Sequence, residues 1–208
     1  MLLNNKREQI IFFIVLLISF ATVIYVDISA NATYDSGDGI LHFLISRYSW
    51  KHPALFLHHW GKPFFTLISS PFTQFGMNGM ILFQATCASI VSFFCYQIAK
   101  KLNLSYAWLI PVFIFFAPIY FAVINTGLTE IFFGCLLMFS VWLIFEKKYV
   151  FSAAAASLLP FVRVEAFVVL PLIVMVLLIR KQFLALPFLL AGIIIYSVIG
   201  YFYYHDFL

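Results

Sequence analysis

The chain has 208 residues, 64% of them hydrophobic and 20% aromatic, with only 10% charged and a mean hydropathy of +1.05. Too few polar residues remain to cover a water-soluble surface, so the composition excludes a soluble globule and sets an integral membrane protein. The formal net charge of +4 does not point to nucleic acid, because the basic residues stand at the ends of apolar runs, where they set topology.

Lys6 and Arg7 precede an apolar run from Ile10 to Val26, about long enough to cross a hydrocarbon core of about 30 Å at about 1.5 Å per residue. Ala30-Asn31-Ala32 has the small-x-small form of a cleavage site. The run exceeds a usual signal-peptide core of about 7–15 residues, which favours a retained signal anchor over 1–26 with a cytoplasmic N-terminus.

Residues 27–76 read as a long extracytoplasmic loop. Its polar part, Asp27 to Lys62, carries Asp35, Asp38, His42, Arg47, Lys51, His52, His58, His59 and Lys62. From Ile40 the pattern turns helical, with Ile40, Leu41, Leu44, Ile45 and Tyr48 on one face and His42, Ser46 and Ser49 on the other. That is the pattern of a helix lying on a membrane surface. Pro53 and Pro63 bracket a second short apolar run, Ala54 to Leu57, and Trp60 beside Lys62 reads as a headgroup-level anchor. Phe64 to Gly76, interrupted by Pro71, reads as a segment tucked against the membrane before the next span.

Six further spans are expected in 77–208. Met77 to Ala99 ends on Lys100 and Lys101, Tyr106 to Asn125 returns outward, and Leu128 to Phe145 comes back to Glu146, Lys147 and Lys148. Tyr149 to Ile179 is too long for one helix, is cut by Pro160, Arg163, Glu165 and Pro171, and has basic residues at both ends. Two short helices, about 151–161 and 166–179, meeting at Arg163-Val164-Glu165 satisfy this pattern, and the small residues Ala153 to Ser157 suit close packing. A last span from Phe183 to about Phe202 leads to Tyr203, Tyr204, His205 and Asp206. The expected fold class is an all-α polytopic membrane protein with about seven transmembrane helices and a long first extracytoplasmic loop bearing amphipathic interfacial helices.

Ionisable groups at membrane depth are costly and tend to be functional. On this topology Glu130, Arg163, Glu165, His205 and Asp206 lie near the same face as the first loop, so loop and helix ends can share a site. Each also has a plain structural reading. Asp35 can cap the following helix while Asp38 answers its dipole. Glu130 can do the same for the helix it begins, and Arg163 with Glu165 can be a local ion pair stabilising a turn. The histidines lack metal-ligand spacing, so neither metal nor cofactor is expected. Cys87, Cys95 and Cys135 are isolated in apolar runs and indicate no disulfide framework.

A signal anchor, acidic residues directly before an amphipathic helix, and paired spans with acidic and Arg-x-Glu hairpins together resemble the glycosyltransferase C superfamily. The residues carrying the resemblance are Tyr34-Asp35-Ser36-Gly37-Asp38-Gly39, His52-Pro53, His59-Trp60-Gly61-Lys62-Pro63, Thr129-Glu130 and Arg163-Val164-Glu165. They cover nearly the whole chain but are short. The pattern departs from the family's at Gly39, where a second acidic residue is common, and at Val164, where proline is common. The resemblance implies a mannosyltransferase-like membrane hexosyltransferase, using a polyprenyl-phosphate sugar and a lipid, glycan or protein acceptor, in the bacterial inner membrane. Such enzymes continue with more spans and often a soluble domain, so the chain reads as a truncated form.

In such a site a carboxylate removes the acceptor hydroxyl's proton as it attacks the anomeric carbon, and one displacement inverts the configuration. Asp38 is the expected base, with Asp35 the second catalytic carboxylate. The phosphate leaving group needs cations rather than a strong acid; Arg163, Lys62, Arg47 and His59 are candidates, with Glu130, Glu165 and His52 expected at the substrate. The competing expectation is a non-catalytic transport or assembly subunit whose loop binds a partner.

Overall fold

A computed structural model describes residues 5–30, 33 and 37–205. The helices are α1 (Asn5–Ala30), α2 (Asp38–Tyr48), α3 (Pro63–Thr73), α4 (Met77–Lys101), α5 (Ile110–Phe115), α6 (Pro118–Ile124), α7 (Glu130–Phe145), α8 (Tyr149–Ala156), α9 (Ala166–Ile179) and α10 (Ala191–Tyr204). Tight 3₁₀ turns cover Pro53–Leu57, Ala107–Leu109, Leu159–Phe161 and Phe183–Leu190. No strand occurs among the described residues. Among the described residues three helical stretches are long and apolar enough to cross a membrane, Lys6–Ala30, Met77–Lys101 and Phe183–Tyr204, or four if the bent pair Ala107–Phe115 and Pro118–Ile124 counts as one. Only 17% of the best window of the first and last is buried, against 61% for α4, so α4 is the central helix, with α1, α3 and α7 packed on it.

Proline decides where the apolar runs bend. The stretch from Tyr106 to Asn125, expected as a single pass, is instead two short helical pieces, Ala107–Phe115 and Pro118–Ile124, meeting at 68°. Ala117 precedes Pro118 and takes an extended ψ of 124°, because the proline ring excludes the helical region at the residue before it. Pro71 was expected to interrupt the segment before α4, yet α3 runs through it. The proline cannot donate to the Leu67 carbonyl, and the Ser70 hydroxyl donates there instead at 3.0 Å. Pro171 likewise lies inside an unbroken α9. The hairpin expected around Arg163 is present, with α8 and Leu159–Phe161 on one arm and α9 on the other. Ala153 and Ala156 are fully buried along its packed face.

One end of the bundle is basic. There Glu8 pairs with Lys100 at 2.5 Å and Glu146 with Lys101 at 2.7 Å, joining α1 to α4 and α4 to α7. Three helices end in the same motif at this end. Asn103, Lys147 and Lys181 adopt positive φ, and the next amide returns to the carbonyl five residues back: Leu104 to Ala99, Lys148 to Leu143, Gln182 to Leu177.

The opposite end is built by the loop folding down onto the bundle. α2 differs from a helix resting on a membrane with its polar face in water: His42, Ser46 and Ser49 are buried, while Leu41, Leu44 and Tyr48 face outward. The reason is a polar seam to α3, where the Ser46 and Ser69 hydroxyls bond at 2.8 Å. Gly39 meets Gly127 so closely that a methyl group on Gly127 would strike the Gly39 carbonyl. At the far side the Tyr196 hydroxyl donates to the Leu57 carbonyl at 2.9 Å, tying α10 to the loop.

Candidate functional site

Four chain segments meet in a cleft of about 210 Å³: the first turns of α2, the turn before α3, the start of α7 and the hairpin apex before α9. They bring Asp38, His42, Lys62, Glu130, Arg163 and Glu165 together. Asp38 is the first residue of α2 and is exposed, with no ion pair among the described residues. Its carboxylate sits where the helix dipole favours negative charge. Lys62 reaches the cleft from a backbone at φ 59° and ψ 94°, a region sparsely populated by any residue with a side chain and costing of order 1–3 kcal/mol. Gly61 before it is wedged against Ile45, and the Thr66 hydroxyl donates to the Gly61 carbonyl at 2.7 Å, which fixes the turn.

Arg163 organises the far wall. Its guanidinium donates through Nε at 3.0 Å and Nη2 at 2.5 Å to the two carboxylate oxygens of Glu165, and through Nη1 to Glu130 Oε1 and, at 3.4 Å, Thr129 Oγ1. The Glu165 carboxyl is held below its ordinary range by that bidentate contact, and the Arg163 guanidinium is held more firmly protonated in return. Glu130 keeps its second oxygen, Oε2, buried and without a partner. His42 is 6% exposed, packs edge-on against Phe65, and leaves Nδ1 buried and unpartnered. Burial pushes its imidazole below the ordinary value; Asp38 and Glu130 pull it up, Lys62 and Arg163 push it down, and the burial effect wins.

The turn from Asn125 to Thr129 carries Glu130 into place. It is buried, and Gln84 of α4 supports it from below: the side-chain amide donates to the Leu128 carbonyl and, at 3.3 Å, to the Thr126 carbonyl. The Thr126 hydroxyl accepts from the Leu128 amide at 3.1 Å, and the Thr33 hydroxyl donates to the Asn125 carbonyl at 3.2 Å.

The cleft adjoins an apolar groove of about 410 Å³ between the hairpin and α10, and Lys62 and Val164 line both. Phe167, Leu170, Ile193 and Tyr196 line it, with His59 at its rim. A second apolar groove, about 340 Å³, lies across the Phe161 and Tyr196 rings, against Phe56, Leu57 and Phe64.

Of the residues singled out in the sequence, Asp38, Lys62, Glu130, Arg163 and Glu165 share the cleft and His59 the adjoining groove. Arg47 does not join them. Its guanidinium lies 5.7 Å over Phe43 and its carbonyl accepts from Gln74 at 3.0 Å. His52 is exposed at the start of the Pro53–Leu57 turn, His58 accepts from the Gly61 amide, and His205 ends α10. Asp35 and Asp206 lie outside the described residues, as does the expected Asp35 cap. His42 and Thr129 line the cleft and Gln84 supports it, though none of them is assigned a role at the substrate from sequence: His42 stands there only among the loop's polar residues and Thr129 only within Thr129-Glu130. The four-residue spacing of Asp38 and His42, which stacks them on one helix face, was the available signal for His42. A lone glutamine in the apolar run of α4 was the signal for Gln84. Among the described residues no group of three His, Cys, Asp or Glu side chains is arranged to hold a metal ion. No protein-family model, curated protein or solved structure matches this chain.

Proposed function

We propose that this chain is a membrane glycosyltransferase module that moves a hexose from a polyprenyl phosphate to an acceptor hydroxyl, with inversion, at the extracytoplasmic membrane face. The observation that carries this reading is the meeting of Asp38, Lys62, Glu130, Arg163 and Glu165, from segments far apart in sequence, in a cleft that adjoins an apolar groove and shares Lys62 and Val164 with it. A lipid-linked phosphate sugar needs that pairing: a polar pocket for its head beside an apolar channel for its chain.

In this reading Asp38 removes the acceptor proton, being an exposed carboxylate without an ion-pair partner among the described residues. Lys62 meets the donor phosphate, because it is likewise outside any ion pair among the described residues whereas Arg163 is engaged by two carboxylates. Arg163 then acts through Glu130 and Glu165, holding both in position. The groove lined by Phe167, Leu170 and Ile193 takes the first isoprene units. The topology that goes with it is seven passes, the N-terminus and the Lys100, Lys147 and Arg180 end cytoplasmic, in a bacterial inner membrane. The shorter helices α7, α8 with Leu159–Phe161, and α9 make three of those passes.

Two experiments test the proposal. Proteoliposomes of the full chain are given radiolabelled polyprenyl-phosphate mannose or glucose with a lipid acceptor; labelled product is expected. Absence of product from folded protein with either donor supports the transport or assembly subunit instead. Single cysteines at Lys51 and Lys148, in a background without Cys87, Cys95 and Cys135, are expected to be labelled from outside and inside respectively. Cytoplasmic labelling at position 51 overturns the topology and the substrate side together.

A further inference from the structure

Two polar atoms in the cleft are buried and unpartnered: Nδ1 of His42 on α2 and Oε2 of Glu130 at the start of α7. They are chemically complementary but not bonded to each other, although Glu130 is close enough to act electrostatically on His42. An unpartnered polar atom under cover is costly, and these two belong to residues that line one cleft; a guest there meets them after a turn of the Glu130 side chain, which is 41% exposed and has the room to make it. We propose that His42 and Glu130 form a hydroxyl-recognition subsite, in which one ring hydroxyl of a bound sugar is held between the imidazole and the carboxylate.

The inference rests on the reading of the cleft as a sugar-handling site and adds to it the residues that select the sugar. The chemistry of the two atoms restricts the guest. Glu130 Oε1 is already taken by Arg163, so Oε2 is an acceptor with charge to share and requires a donor. Burial keeps His42 neutral against the pull of Asp38 and Glu130, with Lys62 and Arg163 adding to the effect of burial. A neutral imidazole has one N–H and one bare nitrogen, and with the N–H at Nδ1 it requires an acceptor there. A hydroxyl supplies both at once, donating to the carboxylate and accepting from the imidazole. A phosphate offers no donor to Glu130, an ammonium no acceptor to His42. Both residues are positioned around the cleft: His42 packs edge-on against Phe65, and Glu130 is paired through Oε1 with Arg163 on a turn supported by Gln84. Asp38 stands one helical turn before His42, which sets the subsite beside the proposed base.

The test separates sugar recognition from transfer. The full chain in lipid nanodiscs is titrated with n-octyl β-D-mannopyranoside, and with tetraethylene glycol monooctyl ether, which has the same chain without ring hydroxyls. Binding is followed by saturation-transfer NMR and by the ¹⁵N signals of labelled histidine. Expected are saturable binding of the glycoside but not the ether, a shift of the His42 nitrogens, and about tenfold weaker binding in both His42→Phe and Glu130→Gln. His42→Phe keeps the ring packing on Phe65 and Glu130→Gln keeps the shape, so both variants are expected to fold; His42→Gln, which keeps a donor, is expected to restore part of the affinity. Equal binding of glycoside and ether, no glycoside binding by wild type, or variants that bind as wild type would each overturn the subsite. Wild-type transfer that both variants leave unchanged sinks the subsite while leaving the glycosyltransferase reading intact. Glycoside binding lost in the variants, without transfer by any form, does the reverse.

Discussion

The two ends of this bundle treat their polar groups differently. At the basic end three helix C-termini are closed, where Asn103, Lys147 and Lys181 turn the backbone back on itself, and Glu8 and Glu146 each meet one lysine. At the other end one guanidinium is divided between two carboxylates, Lys62 and Asp38 have no ion pair among the described residues, and His42 and Glu130 each keep a buried atom unsatisfied. The lesson is that charge alone does not separate structural from functional residues in a membrane protein. The basic end has more ionic groups: Lys100 and Lys101 each meet a glutamate, while Lys6, Arg7, Lys147, Lys148, Arg180 and Lys181 have no ion pair among the described residues. What sets the cleft end apart is that its charges converge from four segments on one pocket. The cleft end holds an unsatisfied polar network, at a cost that a folded chain tolerates where a ligand completes it.

The contrast can be broken from either end. The largest effect short of the proposed base is expected at Lys62. Removing its charge in Lys62→Ala should lower transfer about 10²-fold, as loss of a charge-stabilising donor does. Lys62→Gly should lose as much transfer yet unfold at a higher temperature than Lys62→Ala, because glycine accepts the backbone at φ 59° without strain. Similar stability of the two would show that the turn is not strained.

Next in size is Gln84→Leu. It leaves the Leu128 and Thr126 carbonyls without their donor inside the bundle, and should cost about 1–3 kcal/mol in denaturant unfolding, with transfer falling as the turn before Glu130 shifts. A neutral outcome would detach the site from α4. At the basic end Glu8→Gln removes the charge that pairs with Lys100 while keeping a hydrogen-bonding side chain; because Glu8 is buried the expected loss is about 1–3 kcal/mol of stability, but with unchanged transfer. A large loss of transfer from that change would erase the distinction between the ends.

The smallest expected effect is on pH dependence. The His42 pKa is lowered on folding, so the unfolded chain takes up a proton that the native protein resists. Stability should therefore be flat above about pH 6.5, decline as the pH falls below it, and level off once the folded value is passed. Thermal unfolding of wild type and His42→Phe between about pH 5 and 8 would show it as an acid-side slope present only in the wild type.

Much of the architecture was legible because it follows from lengths and punctuation. The long apolar helix α1, the central helix α4, the hairpin at Arg163 and the short helix beginning at Asp38 follow from apolar runs, paired lysines and proline. The sequence misled where a proline's effect depends on its neighbours: Ser70 lets α3 pass Pro71, while Pro118 bends an apolar run by 68°. The cleft was legible in its charged members, since Glu130, Arg163 and Glu165 stand alone at the ends of apolar runs. His42 was not, because its role depends on which face of α2 turns inward. That is settled by the Ser46–Ser69 seam, a contact between segments that periodicity within one helix does not reveal. The distances that removed Arg47 and His52 from the site are of the same kind, set by packing onto Phe43 and by the turn at Pro53.

The most direct test of the central claim is the transfer rate of Asp38→Asn against wild type, in proteoliposomes of the full chain with a radiolabelled polyprenyl-phosphate hexose and equal amounts of folded protein. The substitution keeps the size and most of the hydrogen bonding at the start of α2 while removing the proton acceptor. The account predicts a fall in rate of about 10²–10⁴ with thermal stability changed by less than about 1 kcal/mol. Equal rates in the two proteins would contradict it.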